Sequence, residues 1–187
     1  MIYPKKLSSK KSDMILKVFI LVSIFLAILL VIINKLTTES IPWAALANGG
    51  IVYIWVTVFY SIRKNINIAG HVLLQTIAIS LLSVYIDYEL GLKGWSFNIV
   101  IPILIMIANI TMLVLTIVSH KKFIKYAIYQ LIIVLLSSLP LILLAENIIQ
   151  NRTLTIISIG ISILNLLFSL VLCTKDIKEI IIRKFHM

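Results

Sequence analysis

A single cysteine, Cys173, stands in a chain of 187 residues, so no disulfide can close within it. No Cys/His set offers the four ligands of a structural zinc site either. Acids are scarce: seven Asp and Glu against 17 Lys and Arg. Paired carboxylates and acid/histidine sets, which an intramembrane hydrolase needs, are missing from the long apolar runs. So are a Gly-rich phosphate loop and a nucleophile elbow. Asn48-Gly49-Gly50 lies inside an apolar run and is no phosphate motif. No charge lies near the centre of any apolar run, which argues against a proton-coupled carrier, an ion channel or a voltage sensor. The expectation is a protein without catalytic residues, cofactor or metal.

What the chain has in abundance is hydrocarbon. Hydrophobic residues make up 61% of it, and its mean hydropathy is +1.12. Soluble domains average roughly 45–50% apolar residues. A bilayer core about 30 Å thick takes roughly 20 apolar residues as a helix, which satisfies its own backbone. The sequence predicts an all-α integral membrane bundle of six spans: 14–34, 42–62, 68–86, 95–118, 123–144 and 153–173. A basic tail, 1–13, precedes them and a second, 174–187, follows. The first run is too long for the apolar part of a signal peptide. Pro140 falls inside the fifth span and is expected to bend its outer end.

The basic residues fix the expected orientation. Fourteen of the 17 fall in the two tails, in the second and fourth breaks or, as Lys17 and Lys125 do, just inside the adjoining spans. Lys35, Lys93 and Arg152 alone mark the other breaks, with Glu39, Asp87, Glu89 and Glu146. By the positive-inside rule both termini are cytoplasmic, in a cell membrane. The net charge of +10 then meets the anionic inner leaflet rather than nucleic acid. Trp43 and Trp95 begin two inward-running spans at the outer interface, where indole rings anchor. Pro42 suits the entry to the first of these helices. In the last tail Ile177, Ile180, Ile181 and Phe185 share a face, as a short helix lying on the inner leaflet would place them. The layout is three hairpins in series, and no residue-level repeat relates them.

Neutral polar residues recur at three- and four-residue steps, hence on single helix faces. The last span carries Thr155, Ser158, Ser162, Asn165, Ser169 and Cys173 in this way. The fourth carries Asn98, Pro102, Asn109 and Thr116. The fifth carries Tyr126, Gln130, Ser137 and Pro140, and the third His71, Gln75 and Ala78, with Thr76, Ser80, Ser83 and Asp87 beside them. Such residues tie membrane helices together; the alternative is a neutral polar cavity among spans three to six that admits a solute. His71 sits about one turn from the inner interface and is the one histidine within a span. Asn48-Gly49-Gly50 reads as a close helix crossing, or as a break of the kind that lines transporter sites. Asp87 and Glu89 read as a solvated outer loop.

Trp43-Ala-Ala-Leu-Ala-Asn-Gly-Gly with Trp55 following, Asp87 leading to Gly94-Trp95-Ser96 and Pro102, and the ending Arg183-Lys184-Phe185-His186 resemble a family of small bacterial six-helix membrane proteins of unknown function. Many members carry a zinc ribbon ahead of the membrane part, and this chain departs there, having no cysteine before its first span. The resemblance implies a fold and a bacterial membrane, and no catalytic residues. Two functions follow as expectations. One is a non-enzymatic protein acting through packing with a partner, itself or lipid. The other is a small-solute carrier or the substrate-capture subunit of an importer. Six spans resemble the capture subunits of vitamin importers in size, but the first span lacks their Ala-x-x-x-Ala docking pattern, Ser23 and Ala27 being the nearest match.

Overall fold

The structure, a computed structural model, describes residues 9–38, 42–64, 67–118, 123–145 and 152–172. Among them the fold is all helix. The elements are α1 (Ser9–Thr37), α2 (Trp43–Lys64), α3 (Ile68–Glu89), a π-helical turn over Ser96–Val100 running into α4 (Ile101–Val118), α5 (Phe123–Ala145) and α6 (Arg152–Leu172). Five of these are long and apolar enough to cross a membrane. In α2 the apolar stretch with described side chains is shorter, Trp43–Phe59. The surface-helix stretch of the last tail, Cys173, Glu39, Glu146, His120 and His186 lie outside the described residues.

The chain divides into two compact units, Met1–Ile54 and Trp55–Met187, with the boundary inside α2. In the first unit α1 shows hydrocarbon along nearly its whole length, and Asn34 is its one buried side chain among those described. The helix α2 runs unbroken through Asn48-Gly49-Gly50. A Cβ built on Gly50 meets nothing within 4 Å. Gly50 therefore marks no break in the helix and no close contact among the described residues. Asn48 Nδ2 instead reaches the Ala27 carbonyl at 3.5 Å.

In the second unit α4 packs against α3, α5 and α6. Ala69, Ala108, Met112 and Ile133 are buried together, with Val72, Leu73, Leu115 and Tyr129 packed around them. The outward faces are alkyl: Leu81 and Leu164 are each 67% exposed. A contiguous surface of this kind is untenable in water and ordinary in lipid. Asn67 opens α3 as its N-cap, its Oδ1 accepting from the Gly70 N–H at 2.8 Å. The π turn precedes Pro102, whose missing N–H already interrupts the helical ladder, and the Ile101 N–H reaches back to the Ser96 carbonyl.

Candidate functional site: a polar seam, two helix-start turns and a cleft

The polar face of α6 is closed. Thr155, Ser158, Ser162, Asn165 and Ser169 are all at most 2% exposed. Asn109 Nδ2 on α4 donates to Ser162 Oγ at 2.7 Å and to its own helix at the Ile105 carbonyl. Asn165 Nδ2 returns the contact, donating to the Asn109 carbonyl at 2.8 Å and to Asn109 Oδ1 at 3.2 Å. From α5, Gln130 Nε2 donates to Ser169 Oγ at 2.7 Å and to the Asn165 carbonyl at 3.2 Å. Three helices are thus joined by side-chain amides, which have few other partners in a hydrocarbon surround. Thr116, Ser137, Ser158 and Ser162 donate to carbonyls of their own helices. One atom is left over: Asn165 Oδ1 is buried and accepts from nothing.

The first of the two turns lies between α1 and α2, and Thr38 and Pro42 are its described residues. Pro42 stands at the position whose carbonyl takes the first helical bond, from Leu46 at 3.3 Å. Proline has no side chain that caps. Asn34, from the end of α1, supplies the acceptor: its Oδ1 takes the Ala44 N–H at 2.8 Å. Its Nδ2 donates to the Thr38 carbonyl at 2.7 Å. The Trp43 indole N–H closes the turn on Thr38 Oγ1 at 3.0 Å.

The turn from α3 to the π segment follows the same plan. Gly94 offers the first carbonyl, to the Asn98 N–H at 3.1 Å, and has no capping side chain. Asp87 supplies one. Its Oδ1 accepts from Gly94 N–H at 3.2 Å, and its Oδ2 from Ser96 N–H at 3.2 Å and Ser96 Oγ–H at 2.7 Å. The Lys93 N–H also donates to it. Asp87 is 0% exposed, so the solvated outer acid expected from sequence is corrected to a buried cap. Its charge is held by N–H groups at the positive end of a helix. The chain arrives there through Gly91 at φ +93°, Leu92 at φ 51° and Gly94 at φ +76°. The Leu92 N–H bonds the Asp87 carbonyl and the Gly91 N–H that of Tyr88, the pairing of a Schellman cap.

The chain belongs to a family of unknown function, DUF6320, whose model matches residues 3–187. The match takes in the second unit, all but the first two residues of the first, the seam and the two turns. No curated protein and no solved structure matches the chain.

Of the residues singled out in the sequence, Asn109, Gln130, Ser162 and Asn165 come together in the seam. Ser137 and Ser158 are buried beside it but bond their own helices. Asn98 folds back, Nδ2 to the Gly94 carbonyl at 2.7 Å. Gln75 points elsewhere, its Nε2 lying 3.5 Å from Thr57 Oγ1 on α2, and His71 is half-buried near the start of α3. No group of three or more His, Cys, Asp or Glu side chains gathers among the described residues. The caps Asn34 and Asp87 were missed as such. Their signal was an Asn or Asp nine or ten residues before the residue following a tryptophan, with Pro or Gly before that tryptophan.

A space does open, away from the seam. A cleft of about 320 Å³ lies among α3, the start of α4 and the C-terminal half of α5. Thr76 and Ser80 are its polar residues, and the rest of its wall is hydrophobic, with Pro140 and the π-turn residue Phe97 among them.

Proposed function

We propose that the chain is a multi-pass integral membrane protein of a bacterial cell membrane, with both termini cytoplasmic and no catalytic role, acting through helix packing with lipid, a partner or a second copy of itself. One observation carries this reading. Asn109, Gln130, Ser162, Asn165 and Ser169 tie α4, α5 and α6 to one another, and the described faces left to the surroundings are mostly hydrocarbon. A protein built this way offers partners its shape and its alkyl surface rather than a polar site. The experiment is affinity recovery of the full chain from membranes in mild detergent, with mass spectrometry of what comes with it. Reproducible recovery with lipid, with one membrane protein or as a defined oligomer is expected. Repeated recovery of a bare monomer sinks the reading. The orientation is tested separately by a tag on the N-terminus, which should be shielded in intact cells; an externally accessible tag reverses the topology.

Asn165 Oδ1 supports a second reading, the small-solute carrier. A buried amide oxygen without a donor costs about 1–3 kcal/mol, and a polar solute or water supplied through a parted seam would relieve it. A thermal-shift screen with vitamins and metabolites decides, because a ligand held only by the folded state raises its stability. No shift with any of them removes the carrier.

A further inference from the structure

The cleft among α3, α4 and α5 differs in kind from the seam. Its volume, about 320 Å³, is at the low end of the roughly 300–1,000 Å³ found for small-molecule sites. Two local features of the sequence open it. The π turn shifts Phe97 and Ile101 out of the α-helical register at one wall, and Pro140 interrupts the ladder of α5 at the other. On α3 the wall runs from Thr76 to Val84, eight residue steps and hence about 12 Å of helix. That run leads from mid-helix toward the outer turn at Asp87, close to the roughly 15 Å depth of one leaflet's hydrocarbon. The mouth is flanked by Leu81, Leu139 and Ile142, all exposed. Thr76 leaves little for a polar ligand, since its hydroxyl is bonded to the Val72 carbonyl.

The turn beyond the cleft carries a cation. Lys93 is exposed in the turn that joins the two helices of the cleft. The acids nearby are engaged: Asp87 caps the helix, and the Tyr85 hydroxyl bonds Glu89. An alkyl trough about one leaflet deep, with an exposed lysine in the turn beyond it, matches a phospholipid in both chemistry and length.

We propose that this cleft holds one acyl chain of a phospholipid from the outer leaflet, with Lys93 at the level of its phosphate. The proposal rests on the membrane reading above. The bound lipid would be a structural part of the protein, filling a gap that the side chains leave between α3 and α5.

The test is photolabelling of the full chain in phosphatidylglycerol vesicles, using a trace of phosphatidylglycerol with a diazirine in its acyl chain. Labelled peptides are then mapped. Saturable labelling concentrated on residues 76–84 and 136–143 is expected, above the even labelling of the other outward faces. Ser80→Phe fills the trough and should lower that labelling about tenfold, the effect of losing roughly two buried methylene contacts. Should Ser80→Phe fail to fold, Leu139→Trp blocks the mouth from an exposed position and should act alike. Lys93→Glu should lower it about fivefold, the worth of one basic residue at a membrane surface. Leu164→Phe, on the outward face of α6, should leave it unchanged. Even, unsaturable labelling of all outward faces overturns the cleft proposal while the membrane reading stands. Absence of label from every helix overturns both. Labelling of the cleft by a diazirine fatty acid but not by the phospholipid assigns it to a free acid and overturns the proposal as well.

Discussion

The turns before α2 and before the π segment solve one problem with different side chains. In each, a tryptophan is the first residue of the new helix, and the residue before it, Pro42 or Gly94, has no side chain to cap with. In each, the acceptor comes from the end of the previous helix and takes the N–H of the residue after the tryptophan. Yet one acceptor is Asn34 and the other Asp87. The backbone around them explains the choice. At Asn34 a carbonyl, that of Thr38, faces the side chain together with one N–H. Only a group with both a donor and an acceptor satisfies the two. At Asp87 the left-handed residues fold the chain so that Lys93, Gly94 and Ser96 all aim N–H groups at one point, with the Ser96 hydroxyl beside them. Only a carboxylate has acceptor capacity for four donors. The hairpins share a plan, then, although their sequences do not repeat.

The largest way to break this comparison is to remove the carboxylate. Asp87→Ala strands several buried donors and should cost about 3 kcal/mol, the scale of a buried charge-assisted cap. Asp87→Asn keeps one acceptor oxygen but turns an N–H group toward the Ser96 donors, and should cost about half as much. Unfolding in a denaturing-detergent titration measures both. An Asp87→Ala protein as stable as the parent means that the turn does not depend on its cap.

The next largest effect lies in the turn's backbone. Gly94→Ala forces a side chain into φ +76° and within 3.2 Å of Asn98 Nδ2. A left-handed residue with a Cβ costs roughly 1–2 kcal/mol, and the contact adds to it. Gly50→Ala is the counterpart in the first unit. Its Cβ meets nothing, so a stabilisation of about 0.8 kcal/mol is expected from helix propensity alone. Opposite signs at the two glycines would separate a glycine needed for its conformation from one that is merely small. Equal losses would mean that Gly50 carries a contact in the working protein.

Much of this architecture is legible in the sequence, and the failures have causes. Apolar run length gives the helices because a continuous apolar stretch of this length has one stable backbone form in hydrocarbon. The steps of three and four between Ser158, Ser162, Asn165 and Ser169 give the buried face of α6 for the same geometric reason. What periodicity cannot give is the partner of each amide. That Asn109 meets Ser162 while Gln75 lies by Thr57 depends on helix rotation and crossing, which one helix alone does not specify. The role of Asp87 was hidden because charge at the end of an apolar run reads as solvated. Its burial depends on three positive-φ residues that follow it, two of them glycines whose turn is not evident without coordinates. The cleft was hidden altogether, since a gap between helices leaves no pattern in any one of them.

At the first turn a smaller effect sharpens the same contrast. Asn34→Ala should cost about 1 kcal/mol, the ordinary worth of an N-cap acceptor. Asn34→Asp is the sharper change. It keeps the acceptor for Ala44 but loses the donor to Thr38 and sets a carboxylate against a carbonyl. It should therefore fall at least as far as the alanine variant. An Asn34→Asp protein of parental stability would make the two caps interchangeable, and the donor count would no longer explain them.

The smallest expected effect concerns the tryptophans, which share a position but not a bond. The Trp43 indole donates to Thr38 Oγ1, whereas the Trp95 turn is closed by the Asp87 carboxylate. Trp43→Phe keeps an aromatic ring at the interface and removes one hydrogen bond, a loss of about 0.5–1 kcal/mol. Trp95→Phe removes no bond that holds its turn and should lie within about 0.5 kcal/mol of the parent, the usual range away from a specific contact. The measurement is the same titration on the two single variants. A larger loss at Trp95 would show that the ring itself, rather than the bond that Trp43 makes, holds its turn. Equal small losses would leave Asn34 as the whole lock of the first turn, as Asp87 is of the second.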